Sequence, residues 1–176
     1  LGLDDITYIS FVGLIRRYNG LETLIRSMKL INRDDIKLII AGEFYEPIDK
    51  YLNLIKDLDL NDKIIINNKF LDSKMIRDYI CASDLIVQPY MKASQSGITP
   101  LCYFYETPSV VSNINGLREI IHRDKSGTTF EKTPENLSTA ILESLEEERN
   151  NYYRINIKKS KGEYSWLSFI KELQKI

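Results

Sequence analysis

The chain has 176 residues, of which 43% are hydrophobic and 28% charged, a balance typical of a globular protein with a full core of its own. Its 24 basic and 25 acidic residues leave a net charge of −1, so no excess of positive charge marks it as a nucleic-acid-binding protein. No apolar run approaches the ~20 residues of a membrane span, and the single histidine excludes a histidine-rich metal site.

The first half of the chain alternates apolar β-branched runs with amphipathic segments. Residues 6–13, 36–42 and 62–68 are such runs and predict buried strands. Each of the two segments between them repeats apolar side chains at helical spacing, which predicts a helix with one buried face. The repeating residues are Leu21, Leu24, Ile25 and Met28 in the first segment, and Tyr51, Leu52, Ile55 and Leu58 in the second.

The second half continues the alternation, with strands predicted at 84–90, 108–112 and 127–130. The helix predicted at 72–83 has Asp72 as its N-cap, since this carboxylate can accept the free amide protons of the first turn. An apolar helix is predicted after the loop at residues 94–97, and a short one at 116–122.

The last part of the chain predicts helices only. The helix at 134–148 begins at Pro134, where the missing N–H costs nothing, and Leu137, Ile141 and Leu145 line its buried face. The tail at 150–176 predicts two further helices, broken near Gly162.

Two cysteines, Cys81 and Cys102, lie inside apolar segments and form no CxxC pair. They predict buried, reduced thiols rather than a disulfide.

Strands that alternate with helices in this way predict a parallel sheet covered on both faces. We therefore expect one α/β domain over residues 1–176, a Rossmann-like, doubly wound parallel sheet of about six strands with helices on both faces. Ligands of such sheets bind at the carboxyl ends of the strands, where loops lead into helices. The loops to examine are residues 13–20, 42–47, 67–72, 90–97 and 113–117.

The first of these loops, GLIRRYNG, combines Gly13 with two adjacent cations, Arg16 and Arg17, ahead of a helix that begins near Gly20. Free N–H groups at a helix start, together with guanidinium groups that bind phosphate in a bidentate manner, suit a diphosphate. The alternative is a pair of exposed arginines on a surface loop.

The loop SQSG at residues 94–97 offers two hydroxyls, a carboxamide and backbone N–H groups at the start of a helix. Such neutral donors suit sugar hydroxyls or phosphate oxygens. The alternative is an ordinary serine-rich helix cap.

Three single residues complete the candidates. Gly116 opens a short helix whose N–H groups would point at the same edge of the sheet, or it is a turn glycine. Phe70 either stacks on a nucleobase or belongs to the core, and His122 is expected to be a surface or packing residue. No GxSxG, HExxH or P-loop is present, so no nucleophile and base stand out.

Six segments in order carry a family resemblance: FVGLIRRYNGLETLIRSM, LIIAGEF, ASDLIVQPY, SQSGITPLCYFYETPSVVSN, NGLREII and YSW. Together they resemble the C-terminal half of retaining, GT-B-fold glycosyltransferases of family 4, over nearly the whole chain from about Ile6. The resemblance implies that this half binds a nucleotide-sugar donor, a UDP- or GDP-sugar. It also implies an N-terminal acceptor-binding domain, absent from this chain, which closes the active site in the full-length protein.

In that family an arginine and a lysine of the first loop hold the diphosphate of the donor. Leu14 and Asn19 occupy those two positions here. A variant that reads Gly-x-Ile-Arg-x-Tyr-Lys-Gly fits this loop except at Asn19. The resemblance to this variant implies that Arg16, with Arg17 in reserve, takes over the diphosphate.

The family also carries two glutamates eight positions apart, which contact the transferred sugar and the ribose. Ala93 and Leu101 occupy those positions here. The same variant instead has Gln-Ser-Gly, as this chain does, which implies a cradle of neutral donors. With Arg16 as the catalytic residue, the implied donor-binding residues are Gly13, Arg17, Asn19, Gly42, Phe70, Ser94, Gln95, Ser96, Gly97, Ile98, Thr99 and Gly116.

The implied reaction is transfer with retention, in which the diphosphate leaves from the face that the acceptor hydroxyl attacks. It needs positive charge at the leaving phosphate, and it implies neither a metal nor a cofactor besides the donor.

On this basis we expect a bacterial enzyme of surface polysaccharide or glycolipid assembly, cytoplasmic or at the inner face of the membrane. This fragment alone is not expected to transfer sugar. The alternatives are a degenerate, non-catalytic nucleotide-sugar-binding or scaffolding module and, third, a GT-B-like sugar-nucleotide epimerase.

Overall fold

The computed structural model describes residues 6–164 of the chain. Its sheet has six strands, all parallel, in the order β3-β2-β1-β4-β5-β6. The predicted doubly wound parallel sheet is therefore confirmed. The strands are β1 (Thr7–Val12), β2 (Ile36–Ala41), β3 (Ile64–Asn67), β4 (Leu85–Gln88), β5 (Ser109–Ser112) and β6 (Gly127–Phe130).

Within residues 6–164, seven α-helices connect or follow the strands. They are α1 (Leu21–Leu30), α2 (Asp49–Asp57), α3 (Ser73–Cys81), α4 (Ile98–Phe104), α5 (Asn115–Asp124), α6 (Pro134–Leu145) and α7 (Glu147–Ser160). Asp72 caps α3 as predicted, since its Oδ1 accepts a hydrogen bond from the Met75 N–H at 2.8 Å. The predicted helix at 134–148 ends earlier, because Glu146 has an extended backbone (ψ 130°) that separates α6 from α7.

Apolar side chains pack on both faces of the sheet. Ile9 and Phe11 of β1 belong to a larger cluster that also takes its residues from α1, α2 and α6. Val12, which points to the opposite face because strand side chains alternate, belongs to a smaller cluster with residues of α3 and α4. Complete burial of each Leu or Ile side chain stabilises the fold by about 1.5–3 kcal/mol.

Two expectations about burial were wrong. Leu52 is 44% exposed, whereas Tyr51 and Ile55 of the same helix are buried. The predicted apolar face of α2 was thus one residue too wide, since consecutive residues of a helix point about 100° apart. Cys81 is exposed for the same reason, because α3 packs through Ile80. Cys102 is buried as expected, and both thiols are free.

The predicted break in the tail lies close to where α7 ends. A short 3₁₀ turn, Lys161–Tyr164, follows α7. The second predicted tail helix and most of the YSW motif lie outside the described residues. Between residues 6 and 164, no helix combines the length and the apolar character that crossing a membrane requires.

Candidate functional site

A cavity of about 1050 Å³ opens at the carboxyl edge of the sheet, between the loops that leave β1 and β4. The strand order reverses at this point, since β2 and β3 lie on one side of β1 and β5 and β6 lie beyond β4. Loops on the two sides of such a reversal diverge and leave a crevice in which ligands bind. We call it the β1–β4 cavity. Its lining consists of Gly13, Leu14, Tyr18, Asn19, Tyr90, Met91, Lys92, Ala93, Ser94, Gln95, Ser96, Gly97, Ile98 and Ile114.

The loop after β1 lies directly against the loop after β2. A Cβ atom on Gly42, whose φ is +151°, would lie 1.7 Å from the carbonyl oxygen of Gly13. Beyond this contact the Ile15 N–H donates to the carbonyl of Glu43 at 2.9 Å, and the Tyr45 N–H donates to the carbonyl of Ile15 at 2.9 Å. Gly42 therefore allows the loop after β2 to pack against the loop after β1, and it is not part of the cavity lining.

The same loop is closed by a turn at residues 16–19. The Arg16 N–H donates to Asn19 Oδ1 at 2.8 Å, and the Asn19 N–H donates to the Arg16 carbonyl at 2.8 Å. Asn19 is buried and lines the cavity, so it both closes the turn and forms part of the wall.

The first loop is docked on the loop that follows β4. The Met91 N–H donates to the carbonyl of Tyr18 at 2.7 Å. Gly20 (φ +68°) lies so close that a Cβ there would be 1.9 Å from the Pro89 carbonyl oxygen. The two walls of the cavity are thus joined at its base.

The loop SQSG is supported by the start of α5. A Cβ atom on Gly116 would lie 2.3 Å from the Ser94 carbonyl oxygen and 2.6 Å from that of Ala93. Gly116 thus acts through close backbone contact and does not line the cavity. Ser94, Gln95 and Gly97 are exposed along its wall.

Two hydroxyls that the sequence assigned to the donor are engaged within the protein. The Ile98 N–H donates to Ser96 Oγ at 3.1 Å. The Thr99 hydroxyl is buried and donates to Gln88 Oε1 at 3.1 Å. Ser96 still lines the cavity, whereas Thr99 ties α4 to the end of β4 beneath it.

The two arginines of the first loop lie outside the cavity lining. The guanidinium carbon of Arg16 lies 4.9 Å from the centroid of the Tyr45 ring, on the side of the β2 loop. Burial of Glu46 opposes its ionisation, but hydrogen bonds from Lys50 and Tyr51 and the nearby charge of Arg17 hold the pKa of this carboxyl below its usual value. Both arginines therefore belong to the neighbouring loop cluster at the same edge of the sheet.

Phe70 and His122 also lie outside the lining. Phe70 is 69% exposed, which excludes the core alternative, and it follows β3, two strands away from β1. His122 is an exposed residue in the last turn of α5, and its Nε2 lies 2.9 Å from Thr129 Oγ1.

Several lining residues were missed by the sequence analysis, chiefly Tyr18, Tyr90 and Lys92. Tyr90 packs edge-on against Phe11, with ring centroids 6.4 Å apart. Burial raises the pKa of Tyr90 and a hydrogen bond with Ser96 partly offsets this, so the phenol stays protonated. Tyr90 and Lys92 belong to the loop 90–97 that the topology had singled out, but their residue types form no recognisable motif.

The electrostatic character of the β1–β4 cavity is simple. Its described lining contains one cation, Lys92, and no Asp or Glu. No group of three or more His, Cys, Asp or Glu side chains that could hold a metal ion occurs among residues 6–164. Hydroxyls, amides and one ammonium group without a carboxylate are suited to an anionic ligand.

Comparison with known proteins gives related sequences of greater length. A glycosyltransferase of Methanocaldococcus jannaschii, itself uncharacterized, is 28% identical over 173 residues, which is 96% of this chain and 44% of that protein. The chain therefore spans less than half the length of this relative.

Solved structures share the fold. A sucrose-phosphate synthase from Thermosynechococcus elongatus superposes with a TM-score of 0.82 at 18% identity, covering 98% of this chain and 45% of that one. Anabaena HepE in complex with UDP-glucose gives a TM-score of 0.81 at 12% identity, covering 98% of this chain and 50% of the other. At such identities the likeness is one of fold, that of the C-terminal half of GT-B glycosyltransferases.

The family is established by the sequence itself. A family model described as "Glycosyl transferases group 1" matches residues 3–161, which include every described strand and helix up to the end of α7. The chain belongs to the group 1 glycosyltransferase family.

Proposed function

We propose that this chain is the donor-binding domain of a glycosyltransferase of the retaining family 4 type, which takes a sugar from a nucleoside diphosphate sugar. The observation that carries the proposal is the β1–β4 cavity, which lies at the strand-order reversal and has no carboxylate in its described lining. A diphosphate carries negative charge that such a lining accepts without repulsion. HepE, which shares the fold, has been crystallised with UDP-glucose.

The dimensions of the sheet edge suit this ligand. Parallel strands lie about 4.8 Å apart, so the end of β3 is roughly 10 Å from the end of β1. In this proposal the nucleobase stacks on the exposed ring of Phe70 at the end of β3, and the diphosphate reaches the cavity beside Gly13. The sugar then lies against Gln95 and Gly97.

The sequence analysis assigns the catalytic role to Arg16, and we keep Arg16 in that role. Its guanidinium stacks on Tyr45 at an exposed position, and such a contact is worth only about 0.5–1 kcal/mol. Arg16 could therefore leave Tyr45 for a diphosphate at little cost and stabilise it as the leaving group. Neither a metal nor a further cofactor enters this proposal.

The proposal extends to the full-length protein. An N-terminal domain supplied by the full-length protein would bind a polysaccharide or glycolipid acceptor and close the site. We propose that the enzyme is bacterial and acts in the cytoplasm or at the inner face of the membrane.

A second candidate is a degenerate, non-catalytic module that binds nucleotide sugars or serves as a scaffold. Leu14 and Ala93 line the cavity where the family carries charged groups, and Leu101 packs with the smaller core cluster. An epimerase has less support, because the one histidine of the chain, His122, lies outside the cavity lining.

Gly97 provides the test of the proposed site. It lines the cavity, and a Cβ built on it meets nothing within 4 Å. Gly97→Phe should fill the cavity without straining the fold, whereas Gly97→Ala adds one methyl group in open space. We expect the wild-type chain and Gly97→Ala to bind UDP or GDP in the micromolar range by calorimetry, and Gly97→Phe to bind neither.

All three proteins should have the same melting temperature. The proposed function fails if the wild-type chain binds no nucleotide, and the proposed location fails if Gly97→Phe binds as the wild type does.

A further inference from the structure

Lys92 is the one cation in the described lining of the β1–β4 cavity, and it lies on the wall opposite the loop that follows β1. Its side chain is exposed, and it takes part in none of the ion pairs found among residues 6–164. Its charge is therefore available to a ligand.

The backbone on both sides of Lys92 is held in place. On one side, the Met91 N–H donates to the Tyr18 carbonyl at 2.7 Å and the Met91 carbonyl accepts from Lys132 Nζ at 3.1 Å. On the other side, the Ala93 and Ser94 carbonyls are packed against Gly116. Because the backbone of this loop is already fixed, only the torsions of the Lys92 side chain have to be ordered when its ammonium group binds, and this lowers the entropic cost of binding.

The neighbouring cations are directed elsewhere. Arg16 stacks on Tyr45, and Arg17 lies near Glu46. Arg118 donates to Asn113 Oδ1 at 3.4 Å, and Lys132 is bonded to the Met91 carbonyl. None of these four side chains lines the cavity.

We propose that Lys92 contacts the diphosphate of the donor and neutralises part of its charge. This inference rests on the proposed function, and it adds a second cation, on the loop after β4, to the Arg16 guanidinium that the proposed function takes from the loop after β1. The ammonium group would approach the phosphate that is bonded to the sugar, because Lys92 lies two residues before the proposed sugar-facing loop 94–97. Because a nucleoside has no phosphate, its affinity should not depend on Lys92.

The test compares Lys92→Gln with the wild-type chain by calorimetry, using uridine, UMP and UDP, and guanosine, GMP and GDP. We expect the variant to bind the nucleoside diphosphate about tenfold more weakly and the nucleoside equally well. Lys92→Arg should retain most of the affinity for the diphosphate. Raising the salt concentration should reduce the difference in diphosphate affinity between Lys92→Gln and the wild type.

The matched control is Lys29→Gln. Lys29 is an exposed lysine in the last turn of α1, at the edge of the sheet opposite to the cavity. The Lys29→Gln variant should bind each of the six ligands with the affinity of the wild type.

The outcomes separate this inference from the proposed function. If Lys92→Gln binds the diphosphate as tightly as Lys29→Gln, the role of Lys92 is excluded while the donor site stands. Arg16→Gln is measured in parallel: weaker diphosphate binding in both Arg16→Gln and Lys92→Gln fits two cations at the diphosphate, whereas weaker binding in Arg16→Gln with unchanged binding in Lys92→Gln overturns the inference. If the wild-type chain binds no nucleotide at all, the proposed function fails and the inference fails with it.

Discussion

At the scale of single residues, two glycines on the same loop system have opposite surroundings. Gly97 faces the open β1–β4 cavity, and Gly116 touches the backbone of residues 93–94. Neither has a positive φ, so the difference between them is one of space and not of backbone conformation. Gly116 brings α5 close enough to hold the loop that carries the polar lining.

We expect Gly116→Ala to lower the free energy of unfolding by about 1–3 kcal/mol, because its Cβ would lie 2.3 Å from the Ser94 carbonyl oxygen. Gly97→Ala is the control and should change it by less than about 0.5 kcal/mol. Urea unfolding followed by circular dichroism measures both. Equal stability of the two variants would mean that α5 does not hold the loop.

The two thiols are a second case at this scale. Burial raises the pKa of the Cys102 thiol to about 12, so this side chain is a small core residue and not a nucleophile. Cys81, which the apolar run around it had placed in the core, is at the surface of α3.

At the scale of elements, α4, α5 and the 3₁₀ turn after α7 are joined by one buried carboxylate. Asp124, at the end of α5, has a side chain only 5% exposed. It accepts hydrogen bonds from Arg123 Nε at 2.7 Å, from the Tyr103 hydroxyl of α4 at 2.8 Å, and from the Tyr164 hydroxyl. This cluster ties α4, which begins at the cavity, to the last described residues of the chain.

The pH dependence of stability should depend on this carboxylate. Burial alone would raise the pKa of Asp124, but the hydrogen bonds from Arg123, Tyr164 and Tyr103 outweigh it and lower the pKa below its usual value. A carboxyl whose pKa is lower in the folded state stabilises the fold above its unfolded pKa of about 3.9. This contribution is lost as the pH falls through the folded pKa.

We therefore expect Asp124→Asn to cost about 1–2 kcal/mol at pH 7, and the difference from the wild type to shrink below about pH 4. Asp62→Asn, at an exposed turn, serves as the control and should behave as the wild type does at every pH. Urea unfolding at several pH values measures the free energy of unfolding of the three proteins. A constant difference between Asp124→Asn and the wild type from pH 7 to pH 3 would contradict the assignment.

At the scale of the whole molecule, the strand order determines where a ligand can bind. Because β4 pairs with β1, residues 13–20 and 90–98 face each other although at least 70 positions separate them along the chain. The chain nevertheless spans 44% of its relative from Methanocaldococcus jannaschii and 50% of HepE. In our proposal, one wall of the active site comes from a second domain of the full-length protein.

We expect the 176-residue chain by itself to bind the donor and to transfer no sugar, because our proposal assigns acceptor binding to a second domain of the full-length protein. Incubation with radiolabelled UDP-sugars and GDP-sugars, followed by separation of products, measures transfer, and calorimetry on the same sample measures binding. Sugar transfer by this chain alone would contradict the proposal of a separate acceptor domain.

Much of this molecule could be predicted from its sequence, but not the lining of the site. All six strands were predicted within about two residues, because their apolar runs are short and continuous. Gly13, Asn19 and the loop 94–97, which the sequence analysis assigned to the donor, line the cavity. The sequence did not show that Arg16 stacks on Tyr45 or that Lys92 lines the cavity, since both are cations on irregular loops and no periodicity tells which way a loop side chain points.

The sequence by itself determined the alternation of strands and helices, hence a parallel sheet with its ligand edge at the strand ends, and the family to which the chain belongs. Only the tertiary structure decided that β4 lies beside β1, that Arg16 stacks on Tyr45 and that Lys92 lines the cavity. The reason is physical. Helix and strand patterns arise from neighbours along the chain, whereas the composition of a cavity wall depends on hydrogen bonds and packing between segments far apart in sequence.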